Sequence, residues 1–300
     1  DMTETTKLNA TDCAAGDNFG YSVSISGDNI IVGSPYDDDN GTDSGSAYIF
    51  SLSGGVWTET DKLTPSDGAA GDNFGFSVSI SGDNVVVGSP YDDDCGADSG
   101  SAYVFSLTGG NETKLVASDC TTEDNFGYSV SISGDNVVVG SPYDDDYGGD
   151  SGSVYVFSLD GTWPATMNET DKHFDINEGD PNDWYGWSVC ISGDYFILGA
   201  PGDNDDGNAS GSAYLYGSCT LLLDSEAPIA LCQDETIYLD TLGNAIVVVD
   251  SIDNGSYDNC ELDTMYLDQT TFVCADVGGN GVILTVFDAS NNSATCSETV

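Results

Sequence analysis

Polar and apolar residues alternate along residues 21–26, Tyr-Ser-Val-Ser-Ile-Ser, and an unbroken apolar run, Ile30-Ile31-Val32, follows closely. Alternation marks a half-buried strand, a short continuous run marks a buried one, and the intervening Ser26-Gly27-Asp28-Asn29 is a tight-turn signal. Ser46-Ala47-Tyr48-Ile49-Phe50 predicts a third strand and residues 57–63 a fourth. The unit then repeats. Residues 19–29 return almost unchanged at 74–84 and 126–136, and more loosely from Tyr185 to Tyr195. Gly33-Ser34-Pro35 returns as Gly88-Ser89-Pro90, Gly140-Ser141-Pro142 and Gly199-Ala200-Pro201. Phe19, Phe74, Phe126 and Tyr185 stand 55, 52 and 59 residues apart. Four short strands in each of several such units predict the blades of a β-propeller, four of them in this chain.

The ends sharpen this picture. Residues 3–8 match the fourth strand at 58–63, whereas the last unit reaches its third strand at 212–216 and has no evident fourth. An N-terminal strand completing the last blade would close the ring and remove open edges. All four lysines, Lys7, Lys62, Lys114 and Lys172, occupy this one strand position. Residues 1–220 resemble the FG-GAP repeats of the integrin α-subunit propeller and of many bacterial surface proteins. That resemblance implies an extracellular propeller used in adhesion and often calcium-bound. The integrin pattern places its calcium loop between the first two strands; here that connection is only Ser-Gly-Asp-Asn, so integrin ligand geometry does not transfer.

From about Ser225 the repeat vanishes, and Asp224-Ser225-Glu226-Ala227-Pro228 reads as a linker. Residues 221–300 are expected to form a small immunoglobulin-like β-sandwich from short alternating strands. Asp258-Asn259-Cys260, Phe272-Val273-Cys274 and residues 288–296 resemble an HYR-type repeat of Bacteroidota adhesins. Such repeats usually continue into further copies, so a larger parent protein is expected. The four cysteines of this segment admit three pairings; Cys260–Cys274 across a hairpin and Cys232–Cys296 between terminal strands are favoured. Cys190 and Cys219 are a candidate pair within blade four, and an odd thiol remains among the nine cysteines.

Charge changes the picture most. Fifty-two acidic residues stand against four lysines, a formal charge of −48. Nucleic acids and anionic membranes are excluded as partners, because both are held by Lys and Arg. No run is apolar enough to span a bilayer, so direct membrane insertion is not expected. The acid is mostly Asp and sits in loops, where neighbouring carboxylates repel unless a cation binds; adaptation to a saline habitat is the plainer alternative. Nine cysteines, no Cys-x-x-Cys and a single His argue against zinc and for disulfides in an oxidising compartment.

An acidic loop follows each Gly-Ser/Ala-Pro. Asp37, Asp39 and Asp43 stand in the first, Asp92, Asp94 and Asp98 in the second, Asp144, Asp146 and Asp150 in the third, and Asp203 and Asp205 in the fourth. Carboxylates at alternate positions around a Gly turn supply the hard oxygens that Ca2+ prefers. Tyr36, Tyr91 and Tyr143 adjoin these loops and are candidate ligand contacts. Asp17, Asp72, Asp124 and Asp183, before each Phe-Gly, read as turn formers. Gly149-Asp150-Ser151-Gly152 resembles a serine-protease motif, but Asp-Ser-Gly recurs in blades one and two and only His173 could serve as base. The expectation is therefore a non-catalytic extracellular or cell-surface module that contacts other cells, matrix, glycans or copies of itself. A protomer of a fibre and a calcium-dependent lectin are the alternatives.

Overall fold

The computed structural model describes residues 6–108, 111–146, 148–159, 167–173, 180–193, 195–204, 207, 209–217, 227–258, 262–288 and 292–300. The chain divides into two compact units, Asp1–Gly217 and Ser218–Val300.

The first unit is a propeller-type array of antiparallel sheets. Blade one comprises β1 (Ser22–Ser26), β2 (Asn29–Ser34), β3 (Ser46–Ser53) and β4 (Val56–Leu63). Blade two comprises β5 (Ser77–Ser81), β6 (Asn84–Ser89), β7 (Ser101–Ser106) and β8 (Glu112–Leu115). Blade three comprises β9 (Ser129–Ser133), β10 (Asn136–Ser141), β11 (Ser153–Leu159) and β12 (Met167–His173). Blade four has β13 (Ser188–Ser192), β14 (Tyr195–Ala200) and β15 (Ser212–Gly217), and three strands only among the described residues. Strands pair in sequence order within every blade. Residues 1–5, which include the first half of the expected closing strand at 3–8, lie outside the described residues. Residues 6–10 carry no strand; Leu8 and Ala10 pack on Val32, Tyr48 and Phe50 of blade one.

The first strands of consecutive blades stand side by side, β1 against β5, β5 against β9 and β9 against β13. The alternation read in the sequence explains this. In β5, Val78 and Ile80 are buried with Ile31 and Ile49 of blade one, while the serines between them face the next blade. Those serines form a ladder. Ile80 N–H and Gly82 N–H donate to Ser24 and Ser26 Oγ at 3.3 and 3.1 Å. Ile132 N–H and Gly134 N–H donate likewise to Ser79 and Ser81, and Ile191 N–H and Gly193 N–H to Ser131 and Ser133. A β-strand cannot pair edge-on with a neighbour stacked on its face, so the hydroxyls satisfy donors that would otherwise be orphaned.

The second unit carries β16 (Asn244–Ile246) paired with β18 (Thr271–Val273), and a sheet ordered β17 (Leu262–Leu267), β19 (Gly281–Asp288), β20 (Ser293–Thr299). Val282, Leu284 and Val286 alternate inward from β19 onto Ala245, Val247, Ile252 and Phe272. Cys232 is bonded to Cys296, with Cα atoms 5.9 Å apart.

Candidate functional site

Each acidic loop of blades one to three folds back on the fourth strand of its own blade. Asp37 is buried, and its Oδ2 accepts from the Tyr48 hydroxyl at 2.7 Å. Lys62 of β4 reaches the same oxygen at 3.0 Å, with Asp12 Oδ2 at 2.7 Å and Asp39 Oδ2 at 2.6 Å. The ammonium also lies 5.0 Å above the Tyr48 ring. Blade two repeats the knot with Lys114, Asp67, Asp92, Asp94 and Tyr103, and blade three with Lys172, Asp119, Asp144, Asp146 and Tyr155. Burial alone would push Lys62 down, but the three carboxylates and Tyr48 outweigh it and hold the ammonium above its ordinary pKa. Burial likewise pushes Asp37 up; the Tyr48 hydroxyl, the Asp39 N–H and Lys62 reverse it and keep the carboxyl below the usual range.

This geometry bears directly on the expected calcium sites. Carboxylate oxygens of Asp12, Asp37 and Asp39, and of Asp119, Asp144 and Asp146, gather within 4.8 Å of one another, an arrangement able to hold a cation. Yet that place already holds a lysine ammonium. A resident Ca2+ would have to displace it, so the donor sets do not fit the ion while the lysines are in place.

The membership of the clusters also differs from the sequence reading. Asp43, Asp98 and Asp150 do not join them. All three have positive φ, 53°, 54° and 57°, and turn the loop toward the next blade, where the carbonyls of Asp43 and Asp98 accept from Asn73 and Asn125. Their places are taken by Asp12, Asp67 and Asp119, each in the turn that leads into a Phe-Gly element, which the sequence pattern did not single out. The lysine at each fourth strand was the available signal: a lone cation opposite a run of Asp. In blade four, Asp203 is buried and accepts from the Tyr214 hydroxyl at 2.6 Å; Asp205 lies outside the described residues.

A second feature lies beside the loops. Tyr21, Phe76, Tyr128 and Trp187, the residues after each Phe-Gly or Tyr-Gly, form one row with successive ring centroids 5.0, 5.0 and 4.9 Å apart. Tyr36, Tyr91 and Tyr143 flank it edge-on at 6.2, 6.0 and 6.1 Å. All but the exposed Tyr21 are half-buried. The sequence reading picked out the flanking tyrosines and missed the row, although its four members share one repeat position.

The residues that name the repeat have a plain physical role. A Cβ on Gly33, Gly88 or Gly140 would strike the carbonyl oxygen of Gly75, Gly127 or Gly186 in the next blade. Those same carbonyls accept from Ser22, Ser77 and Ser129 hydroxyls, each at 2.8 Å. Glycine of the Gly-Ser-Pro element therefore backs onto glycine of the following Phe-Gly or Tyr-Gly element. The FG-GAP repeat family model matches residues 2–50, 57–105, 110–157 and 176–216, more than half the chain.

This chain belongs to the FG-GAP repeat family.

No curated protein matches it. Among solved structures, the N-terminal domain of Nup159 is similar at 10% identity and a TM-score of 0.37, covering 92% of this chain and 59% of that one. The FG-GAP chain thus spans about three fifths of that structure, and so distant a likeness carries no argument about function.

The FG-GAP repeats carry one inter-blade disulfide that the sequence reading did not pair. Cys95, in the second acidic loop, is bonded to Cys120, ahead of blade three, with Cα atoms 6.1 Å apart. The equivalent place between blades one and two brings Gly41 against Ala70, so the two backbones converge there with or without sulfur. Cys13, Cys190 and Cys274 are exposed free thiols; Cys219 and Cys260, the expected partners of the latter two, lie outside the described residues. The protease-like Ser151 is buried and donates to the Asp144 carbonyl, while His173 packs on the rings of Phe196 and Tyr216. No helix among the described residues is long and apolar enough to cross a membrane.

Proposed function

We propose that this FG-GAP chain is a non-catalytic extracellular interaction module of a secreted or surface protein. It engages its partner with the end of the propeller where the aromatic row meets the acidic loops. The row carries the reading: four rings in mutual contact, half-exposed and bordered by three more tyrosines, offer a continuous stacking surface of the kind used for sugars and cationic side chains. Disulfides support an oxidising, extracellular setting. The lysine knots would keep the loops rigid without an ion, so the surface is available in the absence of calcium. An immunoglobulin-like second unit, as in bacterial adhesins, fits this role.

The test is binding of the purified chain to glycan arrays and immobilised matrix proteins, in calcium and in chelator, beside a Tyr128→Ala variant. Binding in both conditions that falls about tenfold or more in the variant is expected, the size of a lost aromatic anchor. Binding only in calcium, with a thermal transition raised by calcium, would favour the calcium-dependent lectin; an ion at 100–1,000 times its Kd adds about 3–4 kcal/mol. Equal binding by the variant would remove the aromatic row from the site.

A further inference from the structure

We propose that Trp184 is a contact residue of the aromatic surface, kept there at a cost to the fold, and that this surface takes an uncharged glycan. The inference rests on the interaction surface above and names its ligand class.

The repeat supplies its own control. The residue before each Phe-Gly or Tyr-Gly stands in the left-handed region, at φ 53°, 54°, 54° and 56°. Blades one to three place Asn18, Asn73 and Asn125 there, a residue that tolerates the region; blade four places Trp184, for which it is an outlier. The asparagines also bind the junction together. Asn73 Nδ2 donates to the Pro35 and Asp43 carbonyls of the preceding blade at 3.3 and 2.8 Å, and Asn125 Nδ2 to those of Pro90 and Asp98 at 2.8 and 3.1 Å. An indole cannot make that pair of bonds. Between blades three and four, the Trp184 backbone N–H still reaches the Asp150 carbonyl at 3.3 Å, but Trp184 Nε1 is buried without a hydrogen-bond partner. Backbone strain, two lost amide bonds and an orphaned donor therefore meet at one residue. Unfavourable terms gathered in this way mark a position held for contact rather than for folding.

What the tryptophan adds is ring surface. Its ring lies 5.6 Å from that of Trp187, tilted by 43°, and Trp187 in turn touches Tyr128 at 4.9 Å and Tyr143 at 6.3 Å. Both indoles are half-buried, and both sides of their junction, blades three and four, lie within the chain. Two adjacent indoles thus stand where the other blades set a single ring in the row.

The chemistry around the rings selects the ligand. Unlike Tyr48, Tyr103 and Tyr155, the hydroxyls of Tyr21, Tyr36, Tyr91, Tyr128 and Tyr143 have no hydrogen-bond partner among the described residues. Burial, then the hydroxyls of Tyr143, Tyr91 and Tyr21, push Tyr128 up to about 12. Burial also raises the flanking Tyr91 and Tyr143, and there the carboxylates Asp98 and Asp150 add to it. The centre of the surface is thus rings and neutral hydroxyls, with carboxylates at its rim. Sialylated and sulphated chains are repelled by the charge of −48. A cationic side chain would lose its water over the row with no carboxylate at the centre to replace it. An uncharged sugar suits both parts: its C–H face lies on indole, and its hydroxyls exchange hydrogen bonds with the phenols.

The test presents the intact chain, in physiological salt with chelator, to an array of uncharged, sialylated and sulphated glycans with an oligo-arginine peptide beside them. Uncharged glycans should capture the parent chain. Trp184→Asn restores the residue of the other blades, and its amide would reach the Pro142 and Asp150 carbonyls. This variant should raise the thermal transition by about 2–4 °C while weakening glycan capture about tenfold or more. Stability and capture moving in opposite directions is a result that a packing role does not give. Trp184→Tyr keeps a ring and should hold capture within about threefold of the parent. A lower transition in Trp184→Asn overturns the proposed cost to the fold. Unchanged capture by it removes Trp184 from the site, and the surface reading stands alone if Tyr128→Ala still loses capture. Oligo-arginine capture that Tyr128→Ala abolishes, with no uncharged glycan bound, overturns the ligand class. If no probe binds, or Tyr128→Ala changes nothing, the surface and this inference fall together.

Discussion

At the scale of single residues, the chain neutralises a buried acid in each of its first three blades. Asp92 is nearly fully buried, and its Oδ2 takes a hydrogen bond from Tyr103 at 2.8 Å and an ion pair from Lys114 at 2.9 Å. Removing one partner of a buried pair leaves an uncompensated charge, typically at a cost of about 3–5 kcal/mol. Lys114→Met keeps the aliphatic stem over the Tyr103 ring and removes only the charge. It should lower stability in urea by roughly that amount. Calcium should restore much of the loss in the variant while leaving the parent chain unmoved, which equilibrium unfolding with and without the ion would reveal. Composition and repeats exposed the ingredients of this knot, four lysines at one strand position against a run of Asp. They did not expose its geometry, because Asp12, Asp67 and Asp119, although they recur at the spacing of the repeat, stand in connecting turns and are brought to the lysine only by the fold.

At the scale of elements, legibility was high for a physical reason. The first strands of blades two and three are buried on one side and hydroxyl-bonded on the other, so their Val-Ser-Ile-Ser alternation must be kept in register, and a one-residue slip would exchange the two faces. The second strands of blades one to three, buried on both faces, read as unbroken apolar runs. Short connections such as the αL turns at Asp43, Asp98 and Asp150 were legible as turns but not as anchors for the next blade. The glycine-to-glycine junction makes a sharp prediction. Gly88 has an ordinary strand conformation, yet an added Cβ would strike the Gly127 carbonyl, which is backbone and cannot swing aside. Gly88→Ala should therefore destabilise by about 1–3 kcal/mol, the usual range for overpacking a filled site. Gly199→Ala, at the same repeat position but facing no following blade, should cost less than half as much by the same thermal measurement.

At the scale of the whole molecule, charge and burial act together on pH. Burial raises Asp72 and Asp124 to about 6 from 3.8; their hydrogen bonds from Ala69 and Thr121 oppose this, and the acidic loops nearby add to it. A carboxyl raised in the folded state favours folding when protonated, and that contribution is lost as pH rises from 3.8 through 6. Asp12, Asp37, Asp67 and Asp119 are shifted down, so theirs is present above 3.8 and disappears only in stronger acid. Thermal stability should thus rise on acidification from pH 7 to about 5 and fall again below about 4. Asp72→Asn with Asp124→Asn should flatten the upper limb and spare the lower one. The size of the charge was plain in the sequence, but which carboxyls are pushed up and which down depends on neighbours 20 to 50 positions away. The Cys95–Cys120 bond acts at this scale too. A chain pulled from its two ends cannot pay out the residues between those sulfurs, a length of about 80–90 Å when extended. Under tension, blades two and three share a short leash: either can open, but neither can be drawn far from the other until the bond is reduced.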